Sequence, residues 1–365
     1  MLSLSNLTLS HFRSHKLTRL SLDGRPVVLF GSNGSGKTNI LEAVSLFSPG
    51  RGMRRAGAHD MTRRPEALGW KLRATLSATD GVHEVDTFSE NGSARRIEID
   101  GKSATHGALG QMSRVVWLVP SMDRLWIEGA DNRRRFLDRM TLSMFPEHAE
   151  TSLAYEKAMR ERNRLLKDQV RDGHWYRALE AQMARAGHAI HIARQQTLSR
   201  IVAAQQDAQT AFPVADLRLE HSDGEMPTSE DDLQTALADS RGQDLAAGRT
   251  LIGPHRCDMI GTFAAKGVPA SDCSTGEQKA LLVSMILANA RSLTQDLGSP
   301  PIILLDEVSA HLDTGRRAAL YDEICALGAQ AWMTGTEQSL FSELSDRAQY
   351  FEVFDTENTS SVLER

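Results

Sequence analysis

The stretch Gly31-Ser32-Asn33-Gly34-Ser35-Gly36-Lys37-Thr38 constrains this chain more than any other. It follows the apolar run Val27-Val28-Leu29-Phe30 and leads into Asn39-Ile40-Leu41-Glu42-Ala43-Val44, whose apolar residues have helical spacing. Strand, glycine loop and helix in that order satisfy Gly-x-x-x-x-Gly-Lys-Ser/Thr at every fixed position. Glycines let the backbone curl until successive N–H groups point at one anion, and the helix start adds positive potential. Gly31, Asn33, Gly34, Ser35, Gly36 and Asn39 are thus candidate nucleotide contacts. Lys37 is placed to reach the β- and γ-phosphates and the Thr38 hydroxyl to ligate Mg²⁺, which makes ATP and Mg²⁺ the expected cofactors. A plain glycine turn at a helix start is the alternative, and it has no need of Lys-Thr behind it.

At 365 residues the chain suits one large or two modest domains. Lys and Arg number 42 against 47 Asp and Glu, a net charge of −5, so any nucleic-acid partner must be held by local basic clusters. Cys257, Cys273 and Cys325 are odd in number and far apart, which argues against a disulfide framework or a metal knuckle and fits a reducing compartment. Residues 1–12 alternate Leu with Ser, Asn and Thr and lack an apolar signal core. No run approaches the roughly 18 apolar residues of a membrane span. The expectation is a soluble, cytoplasmic protein without a membrane partner.

Residues 2–9 and 17–22 read as strands, with His11-Phe12-Arg13-Ser14-His15 between them as a turn near the nucleotide base. Ser48-Pro49-Gly50-Arg51-Gly52-Met53-Arg54-Arg55 is a basic loop, either a DNA contact through Arg54 and Arg55 or a solvated turn. Residues 70–101 carry turn signals at Asp80-Gly81, Asn91-Gly92 and Asp100-Gly101, the pattern of an antiparallel meander. Val115 to Val119 is an apolar strand ended by Pro120. From there the pattern turns helical, over 131–145, 147–171 and 175–211. Arg133-Arg134-Arg135 is the sharpest charge cluster of that region, a DNA-binding candidate in which Arg134 and Arg135 serve equally well as interior ion-pair partners. Residues 222–249 are polar and uninformative. A helix over 276–293, a buried strand at 302–305, a helix over 315–327 and strands at 331–334 and 350–354 complete the chain, with the last ten or so residues expected to fray. The expected division is 1–120 and 250–365 as the two parts of an ATPase head, with 121–249 as an inserted helical lobe.

Ile302-Ile303-Leu304-Leu305 ends in Asp306-Glu307. In a chain that already holds a phosphate loop, Asp306 suits a Mg²⁺ ligand and Glu307 a group that polarises the attacking water. Cys273-Ser274-Thr275-Gly276-Glu277-Gln278-Lys279 opens a helix shortly before that strand. Taken alone it is a helix cap. It also resembles the signature of ABC-type ATPases, which implies that Ser274, Gly276 and Glu277 touch the γ-phosphate held by a second copy. Ser309-Ala310-His311-Leu312-Asp313 stands where such proteins have their D-loop.

Taken together these residues resemble the RecF family of SMC-like DNA-repair ATPases, over nearly the full length. The most specific stretches are Gly253-Pro254-His255-Arg256 and Arg134-Arg135-Phe136-Leu137-Asp138, supported by Phe12-Arg13, the 50–55 loop and Arg162-Asn163. The resemblance implies an α/β fold, an ABC-type P-loop ATPase head with a mixed sheet, an antiparallel meander and a mainly helical insertion. It implies weak, DNA-stimulated ATP hydrolysis, an ATP-dependent homodimer, and binding at single-/double-strand DNA junctions in gaps. It further implies cooperation with RecO and RecR in loading RecA, within recombination, replication and the SOS response. Arg13 then counts among the nucleotide contacts, and Thr334-Gly335-Thr336 matches the family's threonine-rich switch, with Thr336 as the hydroxyl that senses the γ-phosphate. Ser121, Cys257, Glu277 and Lys279 depart from the usual family pattern, and no Q-loop residue stands out near Pro120. An SMC-like, nucleotide-switched structural clamp is the alternative function, although no long heptad segment is present for an arm. A transporter ATPase would need a membrane partner, and the family-specific stretches speak against it.

Overall fold

Alternating leucines start the fold. In the computed structural model, which describes residues 1–365 except Pro65, Asn91, Asp223 and 309–311, the chain opens with β1 (Ser3–Phe12) and β2 (His15–Ser21). It continues through β3 (Val27–Phe30) and α1 (Lys37–Ser45) to β4 (Trp70–Ala78), β5 (Gly81–Ser89), β6 (Arg96–Ile99) and β7 (Lys102–Ala104). Six of these strands form an antiparallel sheet in the order β2-β1-β4-β5-β6-β7. β1 buries Leu4, Leu7, Leu9 and Phe12, and the step of three between the first two has a cause. Its pairing with β4 shifts register between Leu4 and Asn6, a bulge that returns the leucines to the core face. The buried Gln330 amide bonds both backbone groups of Leu4 there, at 2.8 and 2.9 Å. Asp100 and Gly101 both take positive φ (51° and 74°), the backbone a tight β6–β7 turn requires. The turn expected at Asn91-Gly92 begins outside the described residues.

After α2 (His106–Met112) comes β8 (Val115–Leu118). Next are α3 (Ala130–Met144), α4 (His148–Lys167), α5 (Gly173–Gln206), β9 (Ala215–His221), α6 (Glu230–Asp239) and α7 (Arg241–Ala247). β10 (Cys257–Phe263) and β11 (Val268–Pro269) follow, then α8 (Thr275–Leu297), β12 (Ile302–Leu305), α9 (Thr314–Leu327), β13 (Ala331–Gly335), β14 (Gln349–Thr356) and β15 (Thr359–Glu364). Two units are distinguished. The first comprises Met1–Asp123, Asp207–Pro213 and Ser274–Arg365, the second Arg124–Gln206 and Val214–Cys273.

The second sheet of the first unit runs β15-β14-β3-β13-β12-β8, parallel except where β15 turns back on β14. β3, β8 and β12 are continuous apolar runs, as burial on both faces demands, whereas β14 and β15 at the edge mix polar residues in. The carboxyl ends of β3, β13 and β12 lie side by side, where open α/β sheets gather their ligands. One hydrophobic cluster joins Leu7 and Leu9 of the first sheet, Ile40 and Leu41 of α1, and Leu29, Leu304 and Trp332 of the second. The last residues do not fray, contrary to expectation. β15 pairs with β14 from Thr359 to Glu364, and Ser360 is buried.

In the second unit α5 packs against α3 and α4, and β9, β10 and β11 form a small antiparallel sheet. The polar 222–249 stretch, opaque in sequence, supplies α6 and α7. Arg162 is fully buried and satisfied from several sides: Asp244 at 2.7 Å, Leu237 O at 2.8 Å, Thr250 Oγ1 at 2.9 Å and Glu180 at 3.3 Å. A buried guanidinium needs such a shell, since its desolvation is costly unless every donor is met. Tyr155 OH and His255 Nδ1 lie 2.8 Å apart, and burial holds the His255 imidazole near pKa 4. Among the described residues no helix is long and apolar enough to cross a membrane.

Candidate functional site

The glycine loop leaves β3 at Gly31, whose N–H bonds Gly335 O of the neighbouring β13 at 3.3 Å. Gly31 has φ 147°, and a Cβ there would stand 2.0 Å from Val353 O. Gly36, with φ 108°, forms the N-cap of α1, so the helix start and its N–H groups face the loop's concavity. The buried Ser35 hydroxyl has no partner within the protein. A phosphate oxygen would satisfy it.

Lys37, only 4% exposed, donates from Nζ to Gly31 O (2.7 Å) and Ser32 O (2.8 Å), across the mouth of its own loop. Burial lowers its pKa, and the charges of Glu307 and Asp306 oppose that effect. An ammonium held by carbonyls and facing two carboxylates is ready to exchange those carbonyls for phosphate oxygens. Thr38 Oγ1 donates to Asp306 Oδ1 at 3.0 Å. Adjacent ligands of octahedral Mg²⁺, at about 2.0–2.1 Å from the ion, lie roughly 2.9 Å apart. The pair therefore suits neighbouring positions on one hard cation.

Asp306, 5% exposed, is anchored at the end of β12 by its N–H to Leu118 O at 2.9 Å. Thr334 Oγ1 donates to Asp306 Oδ1 (2.8 Å) and accepts from the Glu307 N–H (2.8 Å). Glu307 has φ 53°, an unfavourable conformation for a non-glycine residue that this N–H bond helps to hold. The fold thus brings together Lys37, Thr38, Asp306 and Glu307, and adds Thr334. Thr336 lies past the end of β13 and is exposed, outside this network.

Beside the loop, Glu42 of α1 is nearly fully buried and binds Arg13 twice (2.9 and 2.7 Å) and Arg54 once (3.4 Å). Arg54 also donates to Asn39 Oδ1 at 3.0 Å. Its head group is thus tied to the helix that carries Lys37 and Thr38, while the residue stays exposed. Arg51 and Arg55 are exposed. Arg133 forms a bidentate pair with Asp258 (2.8 and 2.7 Å), and Arg134 donates to Cys257 O at 2.8 Å. Arg135 pairs with Asp131 and stays exposed. Two of the three clustered arginines are therefore paired inside the second unit, Arg133 with Asp258 and Arg134 with the Cys257 carbonyl on β10.

Ser274 caps α8, accepting from the Glu277 N–H at 3.4 Å while the Glu277 carboxylate accepts from the Ser274 N–H at 2.9 Å. Ser274, Thr275 and Gly276 are exposed, and a Cβ at Gly276 would meet nothing. Lys279, one turn on, pairs with Asp123 at 3.2 Å. The first three D-loop residues, 309–311, lie outside the described residues.

Similarity to known proteins is extensive. A solved structure of the recombination mediator protein RecF-ATP in the RecFOR pathway superposes with TM-score 0.84 at 22% identity, covering 99% of this chain and 98% of that one. An Smc head domain from Pyrococcus furiosus with an extended coiled coil, bound to the C-terminal domain of ScpA, gives TM-score 0.56 at 16% identity, covering 100% and 96%. The fold is that of an ABC-type ATPase head, of the kind shared by RecF and SMC proteins. The family model for the RecF/RecN/SMC N terminal domain matches residues 3–361. The DNA replication and repair protein RecF of Rhizobium etli is 47% identical over 364 residues, covering 97% of both chains, and that of Brucella suis biovar 1 is 46% identical over 366 residues, covering 96% of this chain and 94% of its own. The chain belongs to the RecF family.

Proposed function

We propose that this chain is an ATP-dependent DNA-binding protein of recombinational repair and replication, a weak ATPase that dimerises on ATP. The carrying observation is the junction of Thr38, Asp306, Thr334 and Glu307 through three hydrogen bonds beside Lys37. In this reading Lys37 leaves the Gly31 and Ser32 carbonyls for the β- and γ-phosphates, and the loop N–H groups take the remaining oxygens. Thr38 and Asp306 would hold Mg²⁺, which would neutralise charge on the phosphates. Glu307 orients and polarises the attacking water, and Thr334 keeps its backbone in place. Ser274, Gly276 and Glu277 of a second copy close the γ-phosphate from the far side, adding donors and a positive helix end.

DNA binding in this proposal rests on Arg55, with Arg54 reporting between that loop and α1 and Arg135 as a further candidate. Gapped DNA with a single-/double-strand junction is the substrate, recognised by phosphate contacts and shape. RecO and RecR act with the dimer to load RecA, in the cytoplasm. The near full-length identity with proteins named for replication and repair supports this. A structural clamp reset by hydrolysis is the second reading, favoured by the likeness to Smc heads. Steady-state ATP turnover with and without gapped DNA tests the proposal. The expected result is slow turnover raised by gapped DNA and absent in Lys37→Ala. Turnover that persists in Lys37→Ala would remove the site assignment, and turnover indifferent to DNA would favour the clamp.

A further inference from the structure

The underside of the glycine loop is as organised as its concave face. His15, fully buried at the start of β2, has Nε2 3.1 Å from Gly36 O and Nδ1 2.8 Å from Thr18 Oγ1. A carbonyl only accepts, so Nε2 carries the proton and Nδ1 accepts from Thr18. From the other sheet, Ser360 Oγ on β15 lies 2.6 Å from Ser35 O and 2.6 Å from Ser14 Oγ. Asn39 Nδ2 donates to Ser14 Oγ at 2.7 Å, and the Ser360 N–H donates to Ser14 O at 3.0 Å. Because Ser35 O must accept, the Ser360 hydroxyl donates to it and accepts from Ser14. A directed relay thus runs Asn39 to Ser14 to Ser360 to Ser35.

Arg63, 6% exposed, clamps the strands that supply these groups, donating to Ser14 O (2.7 Å), Asn358 O (3.2 Å) and Thr359 Oγ1 (2.8 Å). The fit against the loop is tight. A Cβ on Gly36 would stand 2.3 Å from Ser360 Oγ and 2.9 Å from both His15 Nε2 and Ser14 Oγ. A loop whose N–H groups must all face an anion has carbonyls that must face away from it, and these need donors. Here the Ser360 hydroxyl meets the Ser35 carbonyl, and the His15 imidazole joins the Asn39 and Ile40 N–H groups (3.0 and 3.3 Å) on the Gly36 carbonyl.

We propose that His15, Ser360 and Ser14 are positioning residues for nucleotide binding, a floor of donors that turns the Ser35 and Gly36 carbonyls away from the phosphate site. The β14–β15 hairpin is thereby part of the nucleotide site through Ser360, which bonds the Ser35 carbonyl. This inference rests on the nucleotide-binding reading of residues 31–38. Buried in the floor, the imidazole stays neutral: burial above all holds its pKa near 4, against the pull of the Gly36 carbonyl and with a smaller contribution from the Arg63 charge.

Equilibrium binding of ribose-labelled fluorescent ATP with Mg²⁺, followed by steady-state kinetics, tests it on the full chain. His15→Leu and Ser360→Ala are each expected to weaken binding about tenfold, the effect of removing one hydrogen bond to a buried carbonyl. KM should rise while kcat at saturation stays within about twofold, since Asp306 and Glu307 are untouched. His15→Gln, which can return an N–H to the same carbonyl, should recover most of the affinity. A general loss of folding would instead lower kcat and deny that rescue. Wild-type affinity in His15→Leu, or equal losses in Leu and Gln, would overturn the proposal. If His15→Leu does not fold, Thr18→Val, isosteric and stripped of the hydroxyl that sets the tautomer, takes its place, and wild-type affinity there is equally fatal. Failure of the wild type itself to bind the probe would instead sink the nucleotide-binding reading.

Discussion

Thr334→Val isolates a single hydroxyl. The side chain is 1% exposed, and valine matches its shape, so no cavity opens. What goes is one bond to the Asp306 carboxylate and one from the Glu307 N–H, both 2.8 Å. A bond to a charged group contributes about 1.5–3 kcal/mol, and an unpaired buried donor costs about 1–3 kcal/mol. The two share one atom and do not add in full, so the expected loss is about 2–4 kcal/mol. At roughly 2–4 °C per kcal/mol for a domain of this size, Tm should fall by about 5–15 °C. Thr334→Ser keeps both bonds and deletes one buried methyl, a loss of about 1 kcal/mol. Urea unfolding and ATP turnover on both variants make the comparison. Turnover should fall at least about tenfold in valine and little in serine, because Glu307 sits at φ 53° and depends on that N–H bond for its aim. A valine variant as stable and as active as the serine one would refute the reasoning.

Glu307→Gln should bind ATP normally and slow its hydrolysis on the order of 10²–10⁴-fold, since an amide takes up the water's proton far less readily. Single-turnover kinetics measure this, and an unchanged rate would exclude Glu307 as the base. Acid should weaken the fold through His15. Unfolded, this imidazole gains a proton near pH 6.5, but buried it refuses one until about pH 4, so its share of stability is full above pH 6.5 and declines through that window as pH falls. Between pH 7 and pH 5 wild type should lose about 2 kcal/mol more unfolding free energy than His15→Gln, and equal losses would contradict the burial argument. Reversing Arg51 and Arg55 to Glu should weaken DNA binding and flatten its salt dependence, by roughly 0.9 in log–log slope for each phosphate that the loop no longer neutralises. A wild-type slope would clear the loop of DNA.

Much of the site is legible in the sequence because its parts are local. Residues 31–38 and 306–307 are contiguous and each ends an apolar run, so their strands and their chemistry read together. The helices are legible from apolar periodicity and from caps such as Ser274 with Glu277, but α4, α5 and α8 end at Lys167, Gln206 and Leu297 rather than at 171, 211 and 293. Thr334 and Thr336 look alike in their triplet, and only the pairing of β12 with β13 shows that Thr334 points at the acids. His15 and Ser360 leave no trace in sequence, since their roles arise from two sheets meeting across 345 positions of chain (360 − 15). β15 reads as frayed because its exposed, polar residues disguise a two-stranded pairing. Charge clusters are the poorest guide. Arg133 and Arg134 look like Arg135 in sequence, and only Asp258 and the Cys257 carbonyl separate them.

Sedimentation velocity with and without ATP and Mg²⁺ tests the central claim most directly, namely that residues 31–38 and 306–307 form half of a nucleotide site completed by Ser274 of a second copy. Wild type should shift from monomer to dimer with ATP and Mg²⁺. Lys37→Ala should stay monomeric because it cannot hold the nucleotide. Ser274→Arg should bind nucleotide as a monomer yet fail to dimerise, its bulk standing on the exposed start of α8. A Ser274→Arg protein that dimerises on ATP like wild type would contradict the account and leave Ser274 as a helix cap alone.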